Sequence, residues 1–367
     1  MTRSFHLLPW LLLLLLLPGS CRPGTKGVDP EDVYTNPVSR SVNNTGYYYE
    51  EGYYYFVQNH TGRVLIQKMK DPTDADLEKM SVAAEMKADY GLEHLWRPQI
   101  TRIDGVWYIY VTADDGNTDN HKMYVLENRN ADPTEGRFTM AGRLVTDPGD
   151  NWAMHGYVFH YGDGLYMVWS GWESRRAYVE TQCLYISRMK DPLTMSGERV
   201  LISRPEYEWE RQCVQRDGSS LRYPVYVNEH PFFFDCAGSD KLYIFYSASA
   251  GWTDFSCIGE LSAPKDADIL DPASWSKAPV PAFSEDRERE VFGPSVPCLI
   301  PSPDGKAWFL VYSASGGGNI LTERSTCIQP VTFSATGHPE LGRPAGWDER
   351  LTKPTRVSAK YLPSPTV

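Results

Sequence analysis

The sequence predicts an all-β chain folded as a five-bladed β-propeller, on three observations: a hairpin signal that recurs five times, few helical patterns and an abundance of strand-forming aromatics. Each signal is a Gly/Asp-type turn followed by an aromatic-aliphatic run. The runs are Gly52-Tyr53-Tyr54-Tyr55-Phe56, Asp104-Gly105-Val106-Trp107-Tyr108-Ile109-Tyr110, Gly162-Asp163-Gly164-Leu165-Tyr166-Met167-Val168-Trp169, Ser239-Asp240-Lys241-Leu242-Tyr243-Ile244-Phe245-Tyr246 and Asp304-Gly305-Lys306-Ala307-Trp308-Phe309-Leu310-Val311-Tyr312. Another short apolar run precedes each, so every copy reads as a hairpin. The copies recur at roughly 50 to 80 residues, room for a four-stranded blade with loops. A two-sheet sandwich would not explain this regular repetition.

The strand before each turn is expected to face the central channel. Those segments are 36–47, 96–101, 152–160, 227–234 and 291–300, which bring five stretches to one pocket. Aromatics make up 13% of the chain, with 23 Tyr and 11 Trp, which suits a β core first and a sugar-stacking surface second. Residues 74–86 read as one short helix or a long loop. The tail from Gly337 to Val367 is rich in Pro and Gly, and its end is expected along the surface or disordered.

The N-terminus reads as a secretory signal. Arg3 precedes an apolar core from Trp10 to Leu17 with seven consecutive leucines, followed by Pro18, Gly19, Ser20 and Cys21, with cleavage expected after Cys21. The run is short for a membrane anchor, and Pro18 fits a lipoprotein box poorly. The expected organisation is a signal peptide over 1–21, a propeller over 22–344 and a tail over 345–367. No later stretch is apolar enough to span a bilayer, so no membrane association is expected. The formal charge of −11 argues against nucleic acid and anionic membranes as partners.

Removal of Cys21 would leave six cysteines, Cys183, Cys213, Cys236, Cys257, Cys298 and Cys327, an even number that an oxidising compartment lets pair. Few free thiols are expected, with Cys298 and Cys327 as a candidate pair because both fall in the last blade. No CxxC or Cys/His cluster suggests zinc. Two sequons, at Asn43 and Asn59, are candidate glycosylation sites.

Several longer stretches carry a resemblance. They are Ala113-Asp114-Asp115-Gly116-Asn117 through Asn120-His121-Lys122-Met123-Tyr124-Val125-Leu126-Glu127, Val168-Trp169-Ser170-Gly171-Trp172-Glu173, and Ser196-Gly197-Glu198-Arg199-Val200-Leu201 with Pro205-Glu206-Tyr207-Glu208-Trp209. Tyr246-Ser247-Ala248-Ser249 with Trp252-Thr253-Asp254, and Leu270-Asp271-Pro272-Ala273-Ser274-Trp275, add to them. From about Tyr34 to Pro344 the chain resembles glycoside hydrolase family 43, and within it the α-L-arabinofuranosidase-like members. That resemblance implies a propeller and inverting glycoside hydrolysis. In this chemistry a carboxylate base and a carboxylic acid stand about 6.5–9.5 Å apart around a water, and a third carboxylate positions the acid.

Residue by residue, the resemblance is uneven. Val227-Asn228-Glu229 fits the acid motif, which makes Glu229 the general-acid position. The base position is Asn44, counted back from Gly52-Tyr53-Tyr54-Tyr55, or Asn36 if Asn36-Pro37 is laid on the family's Asp-Pro. Asp29-Pro30 lies too far upstream. An amide cannot take a proton from water near neutral pH. Trp152-Ala153-Met154-His155-Gly156 puts His155 at the third carboxylate, where a protonated imidazole would lower the acid's pKa. Gln99 replaces a Glu. Val296 stands where many members have a His that helps hold a calcium or other ion, so no metal or other cofactor is expected. Trp96, Gln99, Trp152, Trp169 and Asn228 are the candidate substrate-binding residues.

The leading expectation is a secreted, catalytically degenerate relative that binds arabinose- or xylose-type or other glycans. One alternative is an active arabinofuranosidase or xylosidase with a displaced base, Glu50, Glu51 or Asp114. Another is an extracellular matrix scaffold protein. A second carboxylate across the pocket from Glu229 would favour the enzyme.

Overall fold

Each of the five aromatic runs becomes the second strand of an antiparallel meander. The computed structural model describes residues 32–40, 46–317, 320 and 323–356. The second strands are Tyr53–His60, Val106–Asp114, Gly164–Trp172, Lys241–Ala248 and Trp308–Ser315. Four hairpin turns carry a glycine at positive φ, Gly52 (83°), Gly105 (81°), Gly162 (56°) and Gly305 (69°), backbone that a Cβ would strain.

The strands before these turns are Gly46–Glu50, Glu93–Ile103, Ala153–Tyr161, Val225–Asp235 and Phe292–Pro301. Each of these inner strands approaches the next, and the fifth approaches the first, which closes a ring. The cores close the same circuit. One apolar cluster joins the first meander to the second through Val57, Ile66, Trp107 and Ile109. A second joins the second to the third through Tyr110, Met123, Met167 and Trp169. A third joins the third to the fourth through Val168, Ile186, Phe233 and Ile244. The last joins the fourth and fifth back to the first through Phe245, Phe309, Tyr54 and Phe56. This is the architecture of a β-propeller. The third and fourth meanders also touch edge to edge, where Glu180–Gln182 pair in parallel with Val225–Val227 to give one nine-stranded sheet. The two ends of the described stretch meet beside the fifth meander: Val33–Tyr34 pair with Leu351–Thr352, and Ser39 bridges to Thr326.

Two expectations need correction. Residues 74–86 form neither one helix nor one long loop. Two short 3-10 turns, Pro72–Asp74 and Leu77–Lys79, lead into the outer strand Ser81–Ala84, and a helix starts only at Met86. The strand wins because Ala83 and Ala84 bury against the second meander. The end of the tail lies outside the described residues; before it, the Ala345 amide donates to Gln329 (2.9 Å), the Trp347 indole donates to the Glu290 carbonyl (2.8 Å), and Leu351 is buried. Finally, all six described cysteines are unpaired thiols, five of them buried. Cys298 is on the first strand of the fifth meander and Cys327 on the third, with Val311 and Tyr312 of the second strand between them. Two strand spacings put them about 10 Å apart, beyond the roughly 7 Å a disulfide allows.

Four inner strands share one irregularity. Their register shifts between Trp96 and Gln99, Met154 and Tyr157, Glu229 and Phe232, and Ser295 and Cys298. Each shift holds a residue at positive φ: Arg97 (32°), His155 (55°), His230 (51°) and Val296 (57°). Such bulges re-aim side chains, at a backbone cost of about 1–3 kcal/mol each. Hydroxyls on second strands support two of them, for the His155 amide donates to Thr112 Oγ1 (2.9 Å) and the Val296 amide to Ser247 Oγ (2.8 Å).

Candidate functional site

The bulges converge on a cavity of about 260 Å³, lined by Trp96, Met154, His155, Gln182, Glu229 and His230, and closed by Gly251, Trp252, Ser295, Val296, Ser313 and Arg324. Glu229 is its centre, with its side chain 13% exposed. His155 Nδ1 lies 3.3 Å from Glu229 Oε2, and His230 Nδ1 lies 3.4 Å from Oε1. The two imidazoles stack with ring centroids 3.7 Å apart. Trp96 stands beside His155, centroids 6.0 Å apart, and packs against His121 at 3.9 Å.

Two buried guanidinium groups flank this cluster. Arg324 donates to the carbonyls of Gly293 (2.7 Å) and Gly251 (2.6 Å) and to Ser295 Oγ (2.8 Å). Arg97 donates to the carbonyls of Pro231 and Pro297, both at 3.1 Å. Burial pushes both arginines down to about 10, and the nearby Glu229 carboxylate works against that. Burial also opposes ionisation of Glu229, but the flanking imidazoles outweigh it and hold the carboxyl well below the usual range. Burial, then the charge of His230, pushes His155 down to about 3, and burial lowers His230 as well. The carboxyl of Glu229 is thus held low, whereas a general acid works best with a pKa near the operating pH.

Of the residues singled out from sequence, Glu229, His155, Trp96 and Val296 meet in this cavity. Asn43 and Asn44 lie outside the described residues, as does the N-terminal signal. Asn36 is buried elsewhere, donating to the Ile328 carbonyl (3.0 Å) and accepting from its amide (2.9 Å), a tie to the fifth meander. Gln99 spans two inner strands: it donates to the Val158 carbonyl (2.9 Å) and accepts from the Val158 amide (2.8 Å). Asn228 is fully buried, donating to Glu210 Oε1 (2.9 Å) and accepting from Ser203 Oγ (2.8 Å). Trp169 is wholly buried in the core between the second and third meanders. Trp152 stacks on Trp172 at 4.5 Å and lines a separate cleft with Asp119, Lys122 and Arg175. Asn59 sits half-buried near the end of its strand, on a hairpin whose turn carries the rest of the sequon.

None of the three displaced-base candidates lines the cavity. Asp114 is buried between His94 (2.9 Å) and His121 (3.2 Å), Glu50 pairs with Arg102 (3.3 Å), and Glu51 occupies a hairpin turn at φ 50°. Among the described residues, Glu229 is the one carboxylate on its lining. The residues present do not fit the family's calcium: Val296 offers hydrocarbon, and Ser295 Oγ is already engaged by Arg324. Sequence reasoning missed His230, Trp252 and Arg324. His230 follows Glu229 directly and precedes a proline, a signal that was available; Arg324 lies in a loop without any local pattern.

Comparison with known proteins agrees with this architecture. The family model for glycosyl hydrolases family 43 matches residues 34–339. An extracellular exo-alpha-(1->5)-L-arabinofuranosidase of Streptomyces avermitilis is 30% identical over 369 aligned positions, covering 96% of this chain and 71% of that protein. Alpha-L-arabinofuranosidase 43 of Humicola insolens is 30% identical over 80% of this chain, which spans 60% of that relative's length. Among solved structures, an alpha-L-arabinofuranosidase from Lactobacillus brevis superposes with a TM-score of 0.74 at 28% identity, covering 86% of this chain and 98% of that one. An inner ring of five strands and a family match over most of the chain lead to one conclusion: this chain belongs to glycosyl hydrolases family 43.

Proposed function

We propose that this chain is a secreted, carbohydrate-binding member of the family in which glycoside hydrolysis is absent or strongly reduced. The observation that carries the reading is that Glu229 faces two imidazoles and two guanidinium groups but no second carboxylate among the described residues lining the cavity. Inverting hydrolysis needs a base about 6.5–9.5 Å from the acid. Counting along the inner strands supports Asn44 as the base position. Arg97, His155, His230 and Val296 each stand two residues before the next paired position, and two residues before Gly46 comes Asn44. The carboxamide can hold a water but cannot deprotonate it.

The cavity volume of about 260 Å³ lies at the lower edge of small-molecule pockets, which suits one sugar ring. Trp96 and Trp252 supply apolar faces, and Gln182 and Arg324 supply polar groups. A pentofuranose terminus is the ligand class the relatives' names support. Secretion rests on the N-terminal pattern and on relatives named as extracellular. Among the described residues no helix is long and apolar enough to cross a membrane.

Aryl α-L-arabinofuranosides and β-xylosides test the reading, beside calorimetric binding of arabino-oligosaccharides. Wild-type turnover is expected to lie below that of active relatives by at least the factor of about 10²–10⁴ a general base contributes. Asn44→Asp combined with His155→Asp should raise it, and Glu229→Gln should abolish the gain. The relatives' names favour a second reading, an active arabinofuranosidase whose base comes from elsewhere. Robust wild-type turnover that depends on Glu229 would establish that reading and overturn ours.

A further inference from the structure

The reading above assigns the imidazole pair no function of its own. We propose that His155, His230 and Glu229 form a binding site for one divalent transition-metal ion of the zinc class, with its remaining coordination positions open to the cavity. A ligand atom from each residue lies within 4.8 Å of the other two. The Nδ1-to-carboxylate separations of 3.3 and 3.4 Å are already close to the edge of a zinc tetrahedron, roughly 3.4 Å for bonds near 2.1 Å. The rings stack at 17° with centroids 3.7 Å apart, so both rings must turn for their lone pairs to meet at one ion. Two histidines and one carboxylate with a vacant fourth side is the donor set of catalytic zinc sites.

A second observation points to a ligand. His155 is 3% exposed, and neither of its ring nitrogens makes a hydrogen bond. A buried imidazole always carries at least one N–H or lone pair in need of a partner, and native structures seldom leave such groups orphaned. A metal ion in the cavity would supply the missing partner to the nitrogen that faces Glu229. The backbone supports the geometry: His155 and His230 each occupy a bulge at positive φ, so both rings are aimed at Glu229 by the fold rather than by mobile loops.

The surrounding charge selects the class of ion. Arg97 and Arg324 place two cations around the one carboxylate. An ion held mainly by negative oxygen ligands, as calcium and magnesium are, is disfavoured there. Affinity must come from imidazole nitrogen, which suits zinc, cobalt, nickel and copper. The cavity gives the ion an entry path and room for a water or a sugar hydroxyl as fourth ligand.

The test uses the full secreted chain stripped with a chelator and titrated with Zn²⁺ by calorimetry, with Co²⁺ as a spectroscopic probe. Expected are one ion per chain, a visible absorption band typical of four-coordinate Co²⁺ with nitrogen ligands, and a melting temperature raised by Zn²⁺ and returned by chelation. His155→Asn and His230→Asn, which keep a residue type tolerant of positive φ, should each weaken Zn²⁺ binding at least about 100-fold, more than the loss of an outer partner. The exposed control His160→Asn should bind as wild type. Metal content below a tenth of an equivalent after saturation, Zn²⁺ binding unchanged in folded His155→Asn or His230→Asn, or calcium displacing zinc at equal concentration would each overturn the proposal. Sugar binding by the stripped protein reads the proposed function separately.

Discussion

Glu210 is the residue whose loss should reach furthest. It is completely buried, and both its oxygens are occupied. Oε1 accepts from Asn228 Nδ2 (2.9 Å) and the Tyr246 hydroxyl (2.9 Å), and Oε2 accepts from the amides of Glu206 (2.7 Å) and Tyr207 (2.9 Å). Lys277 Nζ completes the set, 3.0 Å from Oε1 and 3.1 Å from Oε2, with only 10% of its side chain exposed. Removing one partner of a buried pair costs about 3–5 kcal/mol, because the other charge stays behind unpaired. Glu210→Ala also strands the Asn228 and Tyr246 donors, so the upper end of that range is expected, a large part of the 5–15 kcal/mol that holds a typical domain folded. Glu210→Gln keeps one acceptor and should cost about 2 kcal/mol, the worth of charge-assisted hydrogen bonds. Urea unfolding followed by tryptophan fluorescence reads both. The decisive arm is the double variant: adding Lys277→Met to Glu210→Gln removes the stranded cation and should recover about 1 kcal/mol or more, a coupling expected of residues in contact. Additive losses, or a Glu210→Gln variant within about 0.5 kcal/mol of wild type, would refute the assignment of Glu210 and Lys277 as a buried, mutually dependent pair.

Thr112→Ala leaves the buried His155 amide without its acceptor, so a loss of about 1–3 kcal/mol is expected, read by thermal or chemical unfolding against Thr112→Ser, which should retain most of the stability. The six described cysteines should all react with a thiol reagent after denaturation, whereas in the native state Cys213, the one that is not buried, should react first; mass spectrometry of alkylated secreted protein counts them. His338 Nε2 lies 3.1 Å from Glu260, and that hydrogen bond, with burial opposing it, raises the histidine's pKa, Glu340 adding to the rise and Lys241 opposing it. The native state thus holds the proton more tightly than the unfolded one. The stabilisation is full below the ordinary histidine pKa of about 6.5 and fades as pH rises through the raised native value. Melting curves from pH 5.5 to 8.5 should show His338→Gln losing this slope, by a modest amount because the imidazole is 43% exposed.

The blade repeat was legible because its signals are local. A hairpin turn needs positive φ, which glycine marks, and the strand after it needs large apolar residues, which the aromatic runs mark. The inner bulges left a fainter trace. The residues at positive φ are Arg97, His155, His230 and Val296, which share no chemistry, but each is followed by Pro98, Gly156, Pro231 or Pro297. Position within a blade decided which tryptophans reach the cavity. Trp96 precedes a bulge on an inner strand and does, while Trp169 lies on a second strand whose faces both pack against neighbouring sheets. Counting cysteines misled because parity carries no information about adjacency: the candidate pair shares a blade but not neighbouring strands. Glu210 and Arg324 were invisible since their partners are distant in sequence, Lys277 for one and the Gly251 carbonyl for the other.

The scaffold and the cavity are secured by different atoms. The bulge amides of His155 and Val296 are satisfied by Thr112 and Ser247, hydroxyls on a neighbouring blade. Gln99 binds the backbone of Val158 in both directions, and Arg97 binds two carbonyls. None of these bonds depends on which side chain occupies position 155, 230 or 296. An imidazole at position 155 and a hydrocarbon at position 296 are therefore accommodated without breaking the ring. Glu229 is the exception, because its neighbours meet it through side-chain atoms. Once His155 and His230 flank it, any change at one of the three alters the charge felt by the other two. The cavity is thus free to change its chemistry as a unit and constrained against changing one residue at a time. On the proposed reading, a gain in hydrolysis calls for substitution at positions 44 and 155 together, and the three central residues Glu229, His155 and His230 act as one group.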